Sequence, residues 1–445
     1  MADLKQLACR IFLETLEAID ICVAMERKIE RRGSLLRIGG TRVDLMQFRR
    51  ICVVAMGKAA HAMLAGLVKV LPPGAAIEGV ASAPTPTPSP VAGIRYFLGG
   101  HPTPNADSWW AGEAILELLA TCGEETLILF LVSGGGSALV ELPLDRAQTL
   151  EDVQQLFRTL VTCGASIDEI NTIRKHLSAV KGGRLAEAAP AATKITIAVS
   201  DVPAGKESAL ASGPTLPDPT SVDDFRRIVT SYGLEPKFPE ALRRWLAEGH
   251  LRETPKPGNA AFANAHFCLL LGMDDLFHPA HHAAEERGCI AACDNATDDW
   301  PLEQAADYLL DKLEELQQGA PSRRVALIAD GELSSPVTGA GIGGRNSAFV
   351  LACVPKIAGK RIAVLSVGTD GIDGNSPAAG AVADGETLER AQLQGLDLAK
   401  AARDSDAFTF FAALSDVILT GPTGTNLRDL RILVADPASP APKDD

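Results

Sequence analysis

The sequence predicts an α/β protein of two domains, and three observations carry that prediction. The chain has 445 residues, more than one small core accommodates. Apolar strand-like runs recur along it, and each passes straight into a loop of glycine, hydroxyl and charged residues. The stretches between these runs carry apolar side chains at helical spacing. In open parallel sheets ligands bind outside the carboxyl ends of the strands. Loops of this composition in that position predict two α/β units facing one cleft.

In chain order, residues 3–30 place Leu4, Leu7, Ala8, Ile11, Ala18 and Cys22 on one helical stripe, so a long helix is expected to open the chain. Residues 51–56 then read as a strand entering Gly57-Lys58-Ala59-Ala60. The proline-rich run 83–90 reads as a stiff polyproline-like surface loop. Residues 127–132 form a continuous apolar run, as suits a strand covered on both faces, and enter Ser133-Gly134-Gly135-Gly136-Ser137. Further strands are expected at 195–200 before Asp201, at 325–329 before Asp330-Gly331-Glu332, at 362–367 before Gly368-Thr369-Asp370, and at 417–420. Pro, Ser, Thr and Asp crowd 212–222, and Thr254-Pro-Lys-Pro-Gly258 reads as a hinge. The expected domains are therefore 1–250 and 259–436, followed by a tail rich in Pro, Ala and Asp.

Composition narrows the function. The chain is 46% apolar and 22% charged, and 42 basic against 56 acidic residues leave a net charge of −14. Such a field disfavours nucleic acid and anionic membrane as partners. No apolar run reaches membrane-spanning length, and charges interrupt the N-terminus where a signal peptide would need an apolar core. The nine cysteines, without C-x-x-C spacing, read as reduced and mostly buried thiols, which points to the cytoplasm.

The triple-glycine loop is the strongest chemical signal. Glycines 134, 135 and 136 let the backbone turn sharply and approach a ligand, while Ser133 and Ser137 add hydroxyls and the following residues can open a helix whose free N–H groups attract an anion. Lys58 falls in the first turn of a helix, where the macrodipole is already positive, a placement that makes sense with an anion between them. Residues 166–185 form the densest polar segment: Ser166 and Glu169 fit a capping box, Gly182-Gly183 would end the helix, and Asn171, Arg174, Lys175 and Ser178 share a broad face that could gather an anionic substrate. Asp201, Asp370 and Asp373 lie in loops after strands, where carboxylates hold Mg²⁺, cap a turn, or accept a proton from an attacking hydroxyl.

Residues 339–344 match G-x-G-x-x-G, but the segment before them is a poor strand and 360–367 lack the acid that would bind a ribose. A flexible loop carrying Arg345 and Asn346 into the cleft is the simpler reading. The three histidines of 278–282 lack zinc-site spacing, and Pro279 is expected to break a helix there. Gly-His-Pro at 100–102 suits either a histidine near the cleft or a structural turn.

Together these segments resemble the class II glycerate kinases, the family containing the MOFRL domain, some members of which are labelled hydroxypyruvate reductase. The resemblance rests on Met-Gly-Lys-Ala-Ala (56–60), Gly-His-Pro (100–102), Val-Ser-Gly-Gly-Gly-Ser-Ala-Leu (132–139), the segment 171–185, Ser-Asp-Val-Pro (200–203), Ala-Ser-Gly-Pro-Thr (211–215), Gly-Gly-Arg-Asn (343–346), Gly-Thr-Asp-Gly-Ile-Asp-Gly (368–374) and Gly-Pro-Thr-Gly-Thr-Asn (421–426). It implies a doubly wound, Rossmann-like N-terminal domain, a smaller α/β C-terminal domain of the MOFRL type, and a cleft between them. It also implies ATP- and Mg²⁺-dependent phosphorylation of D-glycerate to 2-phosphoglycerate, with Lys58 and Arg345 as the catalytic pair.

On this reading residues 133–137 hold the nucleotide phosphates, and Asp370 or Asp201 holds Mg²⁺ while the other orients the acceptor hydroxyl. Arg174 and Lys181 gather the acceptor carboxylate, with Asn346 beside Arg345. The partners are ATP and a small hydroxy acid, with a homodimer as the candidate assembly. An NAD(P)-dependent hydroxypyruvate reductase is the rival. The chain departs from the family at Ala204-Gly205-Lys206-Glu207, at Asp330-Gly331-Glu332 in place of Gly-Gly-Glu, at Ser347-Ala348 and at Ser405-Asp406-Ala407-Phe408, so the acceptor can be a related acid.

Overall fold

A computed structural model describes residues 2–200, 202 and 205–437. The chain folds as two compact units, Ile21–Gly272 and a second assembled from Met1–Asp20 with Met273–Asp445. This differs from the expected 1–250 and 259–436 at both edges. The opening helix stops at Ala18 and a second runs over Ile21–Lys28, so the single helix expected over 3–30 is two. The first buries Leu4, Leu7, Ala8 and Ile11 in the second unit, where Lys5 pairs with Asp416 at 2.8 Å. Thr254, read as part of a hinge, is instead buried and donates to Asp218 at 2.9 Å.

In the first unit helix Ile21–Lys28 leads into a small antiparallel meander of β1 (Ile29–Arg32), β2 (Leu35–Ile38) and β3 (Thr41–Asp44). Its main sheet comprises β4 (Arg50–Met56), β5 (Glu78–Ala83), β6 (Ile94–Leu98), β7 (Thr126–Ser133), β8 (Thr193–Val199) and β9 (Ala265–Leu271). All six are parallel in the order β6-β5-β4-β7-β8-β9. The chain winds outward from β4 in one direction and from β7 in the other, which makes the sheet doubly wound and puts its switch point between β4 and β7. Every residue of β7 is buried, as its unbroken apolar run requires. Each such Leu, Ile or Val contributes about 1.5–3 kcal/mol of transfer free energy.

The second unit holds β10 (Ile290–Asp294), β11 (Val325–Asp330), β12 (Ile362–Gly368), β13 (Gly380–Asp384), β14 (Val417–Ile418) and β15 (Asp429–Ala435), in the order β10-β11-β15-β12-β13-β14. This sheet is mixed, because β15 inserts antiparallel between β11 and β12. Its register sets Asp330 opposite Leu430 and Gly368 opposite Asp429, so the ends of β11 and β12 and the start of β15 share one edge. The strand expected over 417–420 is only two residues long. Helix Asp274–Glu286 runs unbroken through Pro279, and His281 and His282 lie against Glu285 and Glu286 one turn on.

Candidate active site

In the first unit the loops after β4 and β7 meet at the switch point. Gly57 has φ +122°, and a Cβ there would fall 2.1 Å from Ser133 Oγ. The Lys58 N–H donates to Gly134 O at 2.9 Å and the Ala59 N–H to Ser133 Oγ at 3.0 Å. Ser133 is thus a buried staple between the loops rather than a hydroxyl on their open side. Gly135, at φ +82°, opens the short helix Gly136–Leu139, whose first N–H groups have no acceptor within the helix. A Cβ on Gly135 would stand 3.1 Å from the His101 ring and 3.4 Å from Lys58 Cγ. Lys58, His101 and Gly135 therefore surround one small space. His101 keeps solvent access, while the surrounding protein and then the Lys58 ammonium lower its pKa, which favours the neutral imidazole.

Ser137 is partly exposed, and its Oγ lies 2.6 Å from that of Ser212, which in turn donates to Asn171 Oδ1 at 3.0 Å. Ala211 and Ser212 hold φ of +49° and +59°, left-handed values that side chains rarely adopt. Such strain persists where the surroundings over-determine it. Here Gly136 is the counterpart, since a Cβ on it would meet Ala211 Cβ at 2.7 Å.

The helix expected over 166–185 is shorter, Ile167–Leu177, with the Ser166–Glu169 capping box formed. Gly182 and Gly183 do not end it; Gly183 precedes the next short helix, Arg184–Glu187. Its polar face is interior: Lys175 pairs with Asp218 at 3.1 Å, and Ser178 donates to Glu141 at 2.6 Å. Lys181 is buried and donates to Glu141 Oε2 at 2.5 Å and Val140 O at 3.2 Å. Burial lowers its pKa against the pull of Glu141. An exposed cationic face over this segment, as the spacing suggested, is not what forms. Arg174 lies over the Phe157 ring at 4.5 Å, with its Nε buried and unpartnered among the described residues, and burial lowers its pKa.

In the second unit the segment 335–344 leads into helix Arg345–Ile357. Its glycines serve close packing: a Cβ on Gly339 would fall 2.3 Å from Asp404 O, and one on Gly344 2.2 Å from Asp373 Oδ1. Asp373, read as a site carboxylate, holds this helix start instead. It accepts from the N–H groups of Gly344, Asn346 and Ser347 at 3.1, 2.9 and 2.9 Å and from Ser347 Oγ at 2.6 Å. Asn346 is buried and accepts from Ser366 Oγ at 2.6 Å, so it faces the interior.

Arg345 is clasped by Asp429, 2.5 Å from its Nε, and by Glu332, 2.9 Å from Nη1. Burial opposes its charge, but the two carboxylates outweigh it and raise the pKa. Asp370 is half-buried and accepts from Ile372 N at 3.1 Å in the turn after β12. Asp201 lies outside the described residues. Sequence reasoning left His101 undecided and missed Glu332 and Asp429 as the partners of Arg345, as well as Asp330. The signals were Gly-His-Pro and, for the acids, their positions at strand ends. Asp330 is buried with both carboxylate oxygens unpartnered among the described residues, and burial pushes its pKa up to about 6.

Residues 7–247 match the family described as a domain of unknown function, DUF4147, and residues 325–429 match the MOFRL family. The chain is 32% identical to the D-glycerate 2-kinase of Thermotoga maritima over 97% of its own length and 98% of that protein's. It belongs to the DUF4147–MOFRL family of glycerate kinases. The crystal structure of glycerate kinase from Thermotoga maritima superposes with a TM-score of 0.83 at 32% identity, covering 98% of this chain and all of that one. A protein of Agrobacterium vitis named putative hydroxypyruvate reductase is 35% identical over 86% of this chain and 87% of its own. The α/β architecture of this chain is thus shared with a solved relative. Among the described residues no helix is long and apolar enough to cross a membrane.

Proposed function

We propose that this chain transfers the γ-phosphoryl group of ATP to a hydroxyl of D-glycerate, giving 2-phosphoglycerate, or to that of a closely related hydroxy acid. The observation that carries the reading is the convergence of Lys58 and His101 on Gly135 at the switch point of a doubly wound sheet. Polyphosphate binding draws on a backbone that admits close approach, N–H groups not used inside a helix and a cation, and Gly135, the start of helix Gly136–Leu139 and the neighbouring Lys58 supply them. Without a Cβ at Gly135, a phosphate oxygen can come close to the backbone beside Lys58 and His101. Gly134, Gly135, Gly136 and Ser137 contact the phosphates, Lys58 neutralises them, and Ser133 fixes the two loops in register. Arg345, held by Asp429 and Glu332, meets charge developing on the transferred group, as fixed cations do in phosphoryl transfer. Arg174 attracts the acceptor carboxylate, and Lys181 acts on it indirectly, by fixing Glu141 and the chain that follows the glycine loop.

Mg²⁺ keeps most of its waters and takes one or two carboxylates besides substrate phosphates, so it needs no complete protein cage. Asp370, half-buried in the turn after β12, would hold it, and bound there it would neutralise charge on the substrate phosphates. The buried Asn346 orients the start of the Arg345 helix through Ser366 and Asp373. The name carried by the Agrobacterium vitis relative makes NAD(P)-linked reduction of hydroxypyruvate the competing activity. Incubation with D-glycerate and Mg-ATP should release ADP stoichiometrically with 2-phosphoglycerate. NADH oxidation with hydroxypyruvate, and no ADP from any three- to six-carbon hydroxy acid, would overturn the assignment.

A further inference from the structure

At the other end of β4, four residues or about 13 Å from Met56, where the strand enters the Lys58 loop, the first unit brings two cysteines together. Cys52, near the start of β4, is fully buried, and Cys122, just beyond helix Ala106–Ala120, is half-buried. Their sulfurs are 3.8 Å apart. Arg50 lies beside them and is fixed in place. Its Nε donates to Glu78 at 2.7 Å, its Nη1 to Thr121 O at 2.9 Å and its Nη2 to Thr121 Oγ1 at 3.2 Å. Cys52 Sγ points its proton at the same Glu78 oxygen, 3.8 Å away. A thiol with a fixed cation at its side, a second thiol in contact and a carboxylate to take a proton is the arrangement of a reactive pair rather than of two inert core residues.

We propose that Cys52 and Cys122 form a redox-modification site, at which a hydroperoxide oxidises Cys122 and Cys52 then closes a disulfide. The Cys122 thiolate attacks the terminal peroxide oxygen. The O–O bond breaks, the alkoxide or hydroxide leaves and takes up a proton, and Cys122 becomes a sulfenic acid. Cys52 passes its proton to Glu78 and attacks the Cys122 sulfur. The S–S bond forms as the S–OH bond breaks, and the departing hydroxide takes the proton from Glu78 to leave as water. Two thiols and one hydroperoxide thus give one disulfide, one alcohol or water, and one further water.

Cys122 is half-buried while Cys52 is fully buried, so a hydroperoxide reaches Cys122 first, which makes it the attacking member, and the fixed Arg50 charge favours a thiolate there. Closing the bond takes the sulfurs from 3.8 Å to about 2.05 Å, a shift on the scale of a side-chain rotation. The cross-link ties the start of β4 to the end of helix Ala106–Ala120, leaving the loops at the far end of the sheet untouched.

The test uses the reduced full-length protein treated with equimolar hydrogen peroxide, blocked with iodoacetamide and digested without reductant for mass spectrometry. The expected result is a Cys52–Cys122 linked peptide, with two of the nine thiols lost and recovered with dithiothreitol. Cys52→Ser should stop at a sulfenic acid that dimedone captures on Cys122, and Cys122→Ser should leave Cys52 unmodified. Full alkylation of both Cys52 and Cys122 in the treated wild type would overturn the proposal, as would a cross-link that forms only after denaturation. The wild-type peptide map decides by itself if a variant fails to fold.

Discussion

Replacing Asp330 by Asn should change how the stability of the second unit depends on pH. Asp330 ends β11, is 1% exposed, and has no hydrogen-bond partner for either carboxylate oxygen among the described residues. Burial raises its pKa from 3.8 to about 6, while Arg428 and Arg431 oppose the rise and Asp298 adds to it. Between those values the unfolded chain has released its proton and the native chain has kept it. The native state then binds more protons, so stability falls as pH rises. The contribution is complete below pH 3.8 and lost once pH has passed through about 6. A shift of about two units, at about 1.4 kcal/mol each, makes the loss about 3 kcal/mol. The substituted amide is neutral throughout, so the wild type should lose about 3 kcal/mol relative to Asp330→Asn between pH 3 and pH 7.5. Hydrogen exchange of β11 peptides, read at both pH values, reports opening of this unit alone, and the difference corresponds to a protection ratio changing by about a hundredfold. Parallel pH dependences in the two proteins would refute the reasoning.

Three further outcomes follow from the loops. Lys58→Met should lower kcat by about a hundredfold or more without moving the unfolding midpoint, because the cation is lost from a loop whose backbone bonds to Gly134 and Ser133 remain; near-normal turnover in an ADP-coupled assay would remove Lys58 from the mechanism. Arg345→Lys keeps the charge but cannot span Asp429 and Glu332 with one fork, so kcat should fall about tenfold or more with KM for ATP little changed; an equal rise in KM with kcat intact would mean uniform binding instead. Gly135→Ala puts a Cβ at φ +82° and 3.1 Å from His101, so it should cost about 1–2 kcal/mol of stability and weaken binding of a non-hydrolysable ATP analogue in calorimetry; unchanged affinity would separate this loop from the nucleotide.

What the sequence disclosed, and what it hid, divides along a physical line. Glycine loops and apolar strands were legible because their constraint is local. A continuous run such as Leu127–Val132 must be covered on both faces, and Gly135 at φ +82° declares its backbone in its own identity. The mixed order of the second sheet was not legible, since β15 joins β11 and β12 from the end of the chain and nothing in its residues names that place. Charges were the least legible. Spacing placed Arg174 and Lys175 on a face for anions, and Lys181 was expected to join Arg174 at the acceptor, yet Lys175 and Lys181 are interior cations whose partners, Asp218 and Glu141, lie about 40 positions away. Breaking such a buried pair by removing one member costs about 3–5 kcal/mol. Evolution can therefore not exchange Lys181 freely even if it never touches a substrate. The same asymmetry works in favour of Arg345, whose two acids leave it partly exposed while holding it in one orientation. A charge that is both fixed and accessible can act on a ligand, whereas one that is fixed and enclosed can only shape the ground on which another acts. That difference, rather than residue type or spacing, separates Arg345 from Lys181.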